Sequence, residues 1–344
     1  MQITKRNFFR TGGALAFAWL ALAAVTTGGA AETKHDLYLC ELLSGQGQVM
    51  GRSAPALSGI YRSTDRVTAE HVGFGHIRMF TVIGDPRSTD GLYATALNGV
   101  MHSKDRGKTW RILTGWDMTE PKGIVCDPNA PDHLYVGLPD GIAVSRDRGE
   151  TWARMNAGIK RAYTHTVTVD RTKAGRVLAG TELGIYLTED GARSWRLVQA
   201  TTETTYDLRQ SPHDPRKFFA VTSTSGALWS EDAGRTWKKI EGVPAKFTLH
   251  NCAFDPSDAR RLVLCGWGAG VMVSEDGGRS WSDRTAGLPN REVWSVAVDP
   301  DSPGRIVAAP FQQSVHFSDD FGKTWRPALA EKATVWSMSF VARP

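Results

Sequence analysis

Two imidazoles and a phenol, His165, Tyr206 and His250, sit 41 and 44 residues apart along the chain. With a cation such as Lys122 or Arg161 nearby, they contain the groups needed to abstract a proton beside a carboxylate: a base and a positive charge to neutralise the acid. They belong to a longer column. Phe80, Lys122, His165, Tyr206, His250, Trp294 and Trp336 each fall five residues before the end of a predicted strand, which Asp-Pro marks at Asp85, Asp127, Asp255 and Asp299. Six of these seven side chains are aromatic or imidazole. One reading is a ring of stacking surfaces and proton-transfer groups suited to sugar rings. The other is packing between neighbouring units, with the polar members needing partners if buried. Glycosidase chemistry asks instead for two facing carboxylates. Glu120, Glu203 and Glu292 are candidates, but they lie in separate units whose distances a sequence does not give.

What must position these groups is a turn that recurs along the chain. S-x-D-x-G-x-[ST]-W begins at Ser103, Ser145, Thr188, Ser230, Ser274 and Ser318, at intervals of 42, 43, 42, 44 and 44 residues. A period in the forties with several strands per unit predicts a β-propeller. Each residue type has a mechanical use. The aspartate accepts backbone N–H bonds within its own turn. The glycine permits a left-handed backbone, and the tryptophan offers a large apolar body to the neighbouring unit. In the third copy Ala192 replaces the glycine and Gly191 precedes it, so that turn is expected to differ slightly.

The motif resembles the BNR, or Asp-box, repeat of sialidases, xyloglucanases, sortilin-type receptors and photosystem II assembly factors. The resemblance implies that Asp105, Asp147, Asp190, Asp232, Asp276 and Asp320 are structural, on the periphery of the propeller and away from its ligand. A sialidase would also carry three arginines, a Tyr/Glu pair and an R-I-P motif, and no R-I-P occurs here. Xyloglucanases work between two propellers, and this chain has room for one. The even repeats and single domain resemble the sortilin-type and assembly-factor branches more than the hydrolases. The expected function is therefore a non-enzymatic propeller that binds a carbohydrate or protein ligand in assembly or scaffolding. The alternative is a polysaccharide lyase or glycoside hydrolase.

Within each unit the pattern reads as four antiparallel strands. Thr164–Asp170 alternates as an innermost strand, followed by VLAGT, IYLT, the turn, and WRLV. The ends predict closure. TVWSMSFVA after Trp325 reads as a lone innermost strand, whereas Leu37–Glu41 and GIYRSTDR read as the outer strands of the same unit, with Ser63 and Asp65 as a degenerate turn. The prediction is an all-β, seven-bladed propeller over residues 32–344, closed by pairing the two ends. Ligands should meet the face opposite the repeated turns. There the rim should carry Arg78, Asp117, Glu120, Arg161, Glu203, Lys246, Arg291 and Glu292, and its arginines could hold a carboxylate or sulfate. The long segment from Leu43 to Gly59, with Met50 and Arg52, should project over the same face. Lys122, Arg161, Trp294, Trp336, Arg78, Arg291 and Arg52 are the candidate ligand-binding residues, and His165, Tyr206 and His250 the candidate catalytic ones.

Residues 1–31 read as an export leader: TKRNFFR, an apolar stretch from Ala14 to Val25, then Gly29-Ala30-Ala31. It resembles a twin-arginine signal with Lys5 in place of the first arginine, and the general secretory route is the other reading. The apolar run is short for a membrane span, so a periplasmic or extracellular location is expected. The formal charge is +5, but Lys5, Arg6 and Arg10 lie in the leader, leaving 38 basic against 36 acidic residues. That balance argues against nucleic acid and membrane surfaces as partners. Cys252 and Cys265 flank a predicted hairpin, where they form either a cross-strand disulfide or two buried thiols. No C-x-x-C spacing exists to hold zinc, and neither a metal nor a cofactor is expected. A monomer is expected.

Overall fold

The computed structural model describes residues 34–43, 58–75, 78–160, 163–201 and 203–344. The segment carrying Arg52, the leader and Arg161 lie outside the described residues. Within them, seven four-stranded antiparallel sheets succeed one another. The innermost strands are Met79–Asp85, Gly123–Asp127, Thr164–Val169, Thr205–Gln210, Thr248–Phe254, Val293–Val298 and Ala333–Ala342. Six outer strands are short; Arg111–Ile112 and Lys238–Lys239, for example, have two exposed residues each. A short, charged edge gives little template for pairing with another chain.

The seventh sheet joins the two ends of the chain. Ala333–Ala342 pairs with His35–Leu43, which pairs with Gly59–Ser63 and then Glu70–Val72. The predicted closure is present, with Leu39 opposite Met338 and Tyr38 opposite Ser339. A buried electrostatic clamp fastens it. The Asp36 carboxylate, 0% exposed, accepts hydrogen bonds from Arg62 Nε at 2.7 Å, Arg106 Nη2 at 2.7 Å and Arg343 Nε at 2.7 Å. One carboxylate thus ties the N-terminal strand, its hairpin partner, the C-terminal segment and the first repeated turn. Burial alone would raise the pKa of Asp36, but bonds from Arg343 and Arg106 and the charge of Arg62 outweigh it and hold it below the usual carboxylate range.

The apolar cores lie between blades. Leu37, Leu39 and Val335 of the closing sheet, for instance, pack with Ala297, Val307 and Phe317 of the sheet before it. The repeated turns seal the periphery of these cores. In the Ser145 copy, Ser145 Oγ accepts from Gly149 N at 2.7 Å, while Asp147 Oδ1 accepts from Thr151 N at 2.8 Å. Two successive residues are left-handed in each copy, such as Arg148 (φ +68°) and Gly149 (φ +91°). The third copy keeps this plan: Ala192 stands at φ +70° and its N–H reaches Thr188 Oγ1 at 3.0 Å. The turn tryptophans do reach neighbouring blades, since Trp195 Nε1 donates to Met155 O at 2.8 Å and Trp325 Nε1 to Arg284 O at 2.7 Å.

The cysteine hairpin differs from a direct pairing of Cys252 with Cys265. Cys252 lies opposite Leu264, and Cys265 opposite Asn251. An offset of one residue sends side chains to opposite faces of a sheet. Cys252 accordingly packs with Phe219 and Leu249, and Cys265 with Val293 and Val296. All four cysteines are buried free thiols. Among the described residues no helix is long and apolar enough to cross a membrane.

Candidate functional site

The innermost strands surround a cavity of about 420 Å³, and all seven column residues line it: Phe80, Lys122, His165, Tyr206, His250, Trp294 and Trp336. The reason is local and repeated. In six blades the column residue is the extra residue of a β-bulge. Pairing passes from Thr164 to Thr166, from Thr205 to Asp207, from Leu249 to Asn251 and from Val293 to Ser295, leaving His165, Tyr206, His250 and Trp294 without a partner across the ladder. Phe80 and Trp336 are skipped in the same way. A bulge bends its strand and re-aims a side chain. As a result both the column residue and its successor border the cavity, where strict alternation would send one of them away. The successors, such as Thr81, Thr166, Ser295 and Ser337, form a second, mostly small and polar layer beneath the aromatic one. Gly137 and Gly180 allow the next blade to approach, since a Cβ there would lie 2.9 Å from Thr164 O and Thr205 O, just before the bulges.

The column residues touch one another in series. Ring centroids are 4.6 Å apart for His165–Tyr206, 5.1 Å for Tyr206–His250, 4.3 Å for His250–Trp294 and 4.9 Å for Trp294–Trp336. Most meet edge to face, but His250 and Trp294 stack. Lys122 Nζ lies 4.3 Å from the centre of the Phe80 ring and pairs with Glu120 at 3.1 Å. Such edge-to-face and cation–ring geometry fixes the side chains relative to one another. Two further aromatics extend the ring on one side. Trp267 lies 5.1 Å from Phe311 and 6.0 Å from Trp294. Trp267 ends the second strand of its blade and Phe311 directly follows that of its own, so reading that column as well as the innermost one would have found them.

Burial, the Lys122 charge and the neighbouring His250 push the His165 pKa down to about 4; burial pushes that of His250 down to about 4. Burial and nearby Glu203 raise the Tyr206 phenol above its ordinary value. At neutral pH the ring therefore presents uncharged imidazoles and an un-ionised phenol. His250 Nε2 and Trp336 Nε1 are buried and hydrogen-bond to no described residue, which leaves hydrogen-bonding capacity in the wall.

The rim residues divide. Arg78 borders the cavity. Arg291 is built into its blade edge, donating to Gly268 O, Ala269 O and Asp283 Oδ2 at 3.1, 3.0 and 2.8 Å. Lys246 lies over the Phe247 ring. At the base of the long Leu43–Gly59 segment, Leu43 N donates to Ser58 Oγ at 3.0 Å. Among the described lining residues Asp207 is the one carboxylate. The six aspartates of the repeated turns do not line the cavity.

Residues 83–332 match the family described as Photosynthesis system II assembly factor YCF48. No curated protein matches the sequence. Many solved structures share the fold, three of them as follows. An ancestral GH74 enzyme is 17% identical, covering 73% of this chain and 38% of its own, with a TM-score of 0.62. A GH74 enzyme of Niastella koreensis is 19% identical, covering 75% and 46%, with a TM-score of 0.59. YCF48 bound to D1 peptide is 19% identical, covering 73% and 81%, with a TM-score of 0.56. The chain thus spans less than half the length of the two GH74 enzymes.

Proposed function

Because this chain belongs to the family of photosynthesis system II assembly factor YCF48, we propose that it is a non-enzymatic binding propeller that holds a segment of a partner protein at the channel mouth. The observation that carries this reading is the bulge-built ring of aromatic and imidazole side chains around the cavity. Rigid aromatic surfaces give a large contact area at small entropic cost, which suits recognition. The family relative bound to a peptide makes an extended polypeptide the first ligand class to test.

The same geometry speaks against proton abstraction. A general base works best with a pKa near the working pH, whereas His165 and His250 lie near 4 and Tyr206 is raised. Glycoside hydrolysis needs a free pair of carboxylates. Asp207 instead accepts from Asn251 Nδ2 at 2.6 Å, Cys252 N at 3.1 Å and Arg209 Nε at 3.0 Å. The aromatic ring also offers stacking surfaces to sugars, so polysaccharides belong in the same test. We further propose that residues 1–31 direct export, that the mature chain begins at Glu32, and that it acts as a monomer outside the cytoplasm.

The test titrates the purified protein with a peptide library and with acidic and neutral polysaccharides. Binding is followed by tryptophan fluorescence, and cleavage by reducing ends and unsaturated-uronate absorbance. Peptide binding that weakens in Trp294→Ala and Trp336→Ala, with no cleavage, is the expected result. Release of reducing ends or unsaturated uronate would replace the binding reading with an enzymatic one. N-terminal sequencing of the secreted chain, expected to start at Glu32, and light scattering check the export and monomer proposals.

A further inference from the structure

Three residues beyond each column position, the innermost strands contribute another layer. Six of its seven members border the channel cavity or a second cavity of about 250 Å³. The second cavity opens among Pro212, Pro256 and Pro300, on the face of the Asp-Pro turns. The members on either side of Arg209, Thr168 and Ala253, are small, as are Ala297 and Ser339, whereas Ile83 and Val125 are branched and apolar. Arg209 is the charged member of the layer. It borders both cavities, as Met338 does, which places it where the two meet.

This guanidinium is held in an unusual way for a paired arginine. Its Nε donates to Asp207 Oδ2 at 3.0 Å, while Nη1 and Nη2 hydrogen-bond to no described residue. The side chain is 53% exposed, yet it sits inside the channel with protein around it, so the exposed part faces the cavities. Asp207 is itself held by a hydrogen-bond chain that runs through three blades. It accepts from Asn251 Nδ2 and Cys252 N, and Asn251 Oδ1 in turn accepts from Val296 N at 2.9 Å. A guanidinium anchored through Nε presents its two terminal nitrogens as a fork, the geometry that grips a carboxylate by two parallel bonds. Lys122 and Arg78 border the same cavity, so cations outnumber carboxylates among its described lining residues.

We infer that the channel is a carboxylate-binding site, with the fork of Arg209 as its floor and the aromatic ring as its mouth. This rests on the reading of the channel face as the binding surface. Three residues of strand at roughly 3.3 Å each separate the two layers by about 10 Å. The fitting ligand therefore carries an apolar or aromatic group about that distance from a terminal carboxylate. Both a compact organic acid and the C-terminal end of a peptide have this chemistry.

The test uses the full protein and two probe pairs: 6-phenylhexanoic acid with its amide, and Phe-Gly-Gly as free acid with its C-terminal amide. Calorimetric titration should show each binding acid at least about tenfold tighter than its amide, the usual margin of a charge-assisted bidentate contact. Arg209→Gln should abolish that margin, and Arg209→Lys should keep only part of it, because a point charge replaces a fork. Binding of the small acid alone assigns an organic acid; binding of the tripeptide acid assigns a peptide terminus. Either supports the site. Equal affinity of acid and amide for the unaltered protein would overturn the inference without needing a variant. If both forms then weaken in Trp294→Ala, the mouth still binds and only the carboxylate inference fails. Discrimination that survives in folded Arg209→Gln would remove Arg209 as the floor, and absence of binding by every probe at millimolar concentration would overturn both readings.

Discussion

Replacing Asp36 by asparagine should release the clamp that closes the ring. The side chain keeps its shape but loses the charge that three arginines share, and its new amide N–H₂ faces guanidinium donors. Removing one partner of a buried ion pair costs about 3–5 kcal/mol. The three arginines do not count equally. Arg62 and Arg343 are 18% and 28% exposed and can turn part of their charge to water, whereas Arg106, at 9%, stays largely enclosed. The expected loss is therefore about 3–5 kcal/mol in total rather than the sum of three separate bonds. For a domain of this size each kcal/mol moves the melting temperature by about 2 °C, so the variant should melt about 6–10 °C lower. Thermal unfolding followed by tryptophan fluorescence measures this. Amide exchange should accelerate first in His35–Leu43 and Ala333–Ala342, the two strands the clamp joins. The pH dependence has a fixed sign. The folded pKa of Asp36 is lowered, so its contribution is present above the unfolded carboxylate value and disappears as pH falls through the folded one. The gap between wild type and variant should accordingly close in acid. A variant within about 1 kcal/mol of wild type at neutral pH would show that the cluster behaves like a surface ion pair, and the reasoning would fail.

Three other outcomes are expected. Ser274→Ala removes a buried hydroxyl that accepts from Gly278 N at 2.8 Å, so chemical denaturation should show a loss of about 1–3 kcal/mol. Because the folded pKa values of His165 and His250 lie near 4, below the ordinary 6.5, stability should fall as pH drops from about 6.5 to about 4 and no further from this cause. NMR titration of the two imidazoles checks it, and a midpoint near 6.5 for either would contradict the burial argument. Reducing agent should leave the melting curve unchanged, and four thiols should titrate in denaturant, since Cys252 and Cys265 point to opposite faces of their hairpin.

The repeated turn made the architecture legible before any coordinates. Its phase set the number of blades and identified the strands at the two ends of the chain that share the seventh sheet. The column from Phe80 to Trp336 was also legible, because the same phase aligns equivalent positions in every blade. Its direction was not. Six of the seven residues reach the channel through bulges, and a bulge depends on how two strands pair, which one strand's residue pattern does not encode. The choice between a disulfide and two thiols at Cys252 and Cys265 was open for a related reason: a turn one residue different in register exchanges the faces of a whole strand, and the register found here leaves two buried thiols. Arg209 and Asp207 were invisible for a third. Their meaning comes from small neighbours in other blades and from Asn251 one blade away, a relation among residues some forty positions apart.

The sequence by itself determined the repeat, the blade count and the closure, because these follow from periodic local patterns that every unit restates. Only the tertiary structure decided which side chains enter the channel, which thiols stay apart and where the Arg209 guanidinium stands, because pairing register and the meeting of separate blades are settled by packing rather than by local pattern.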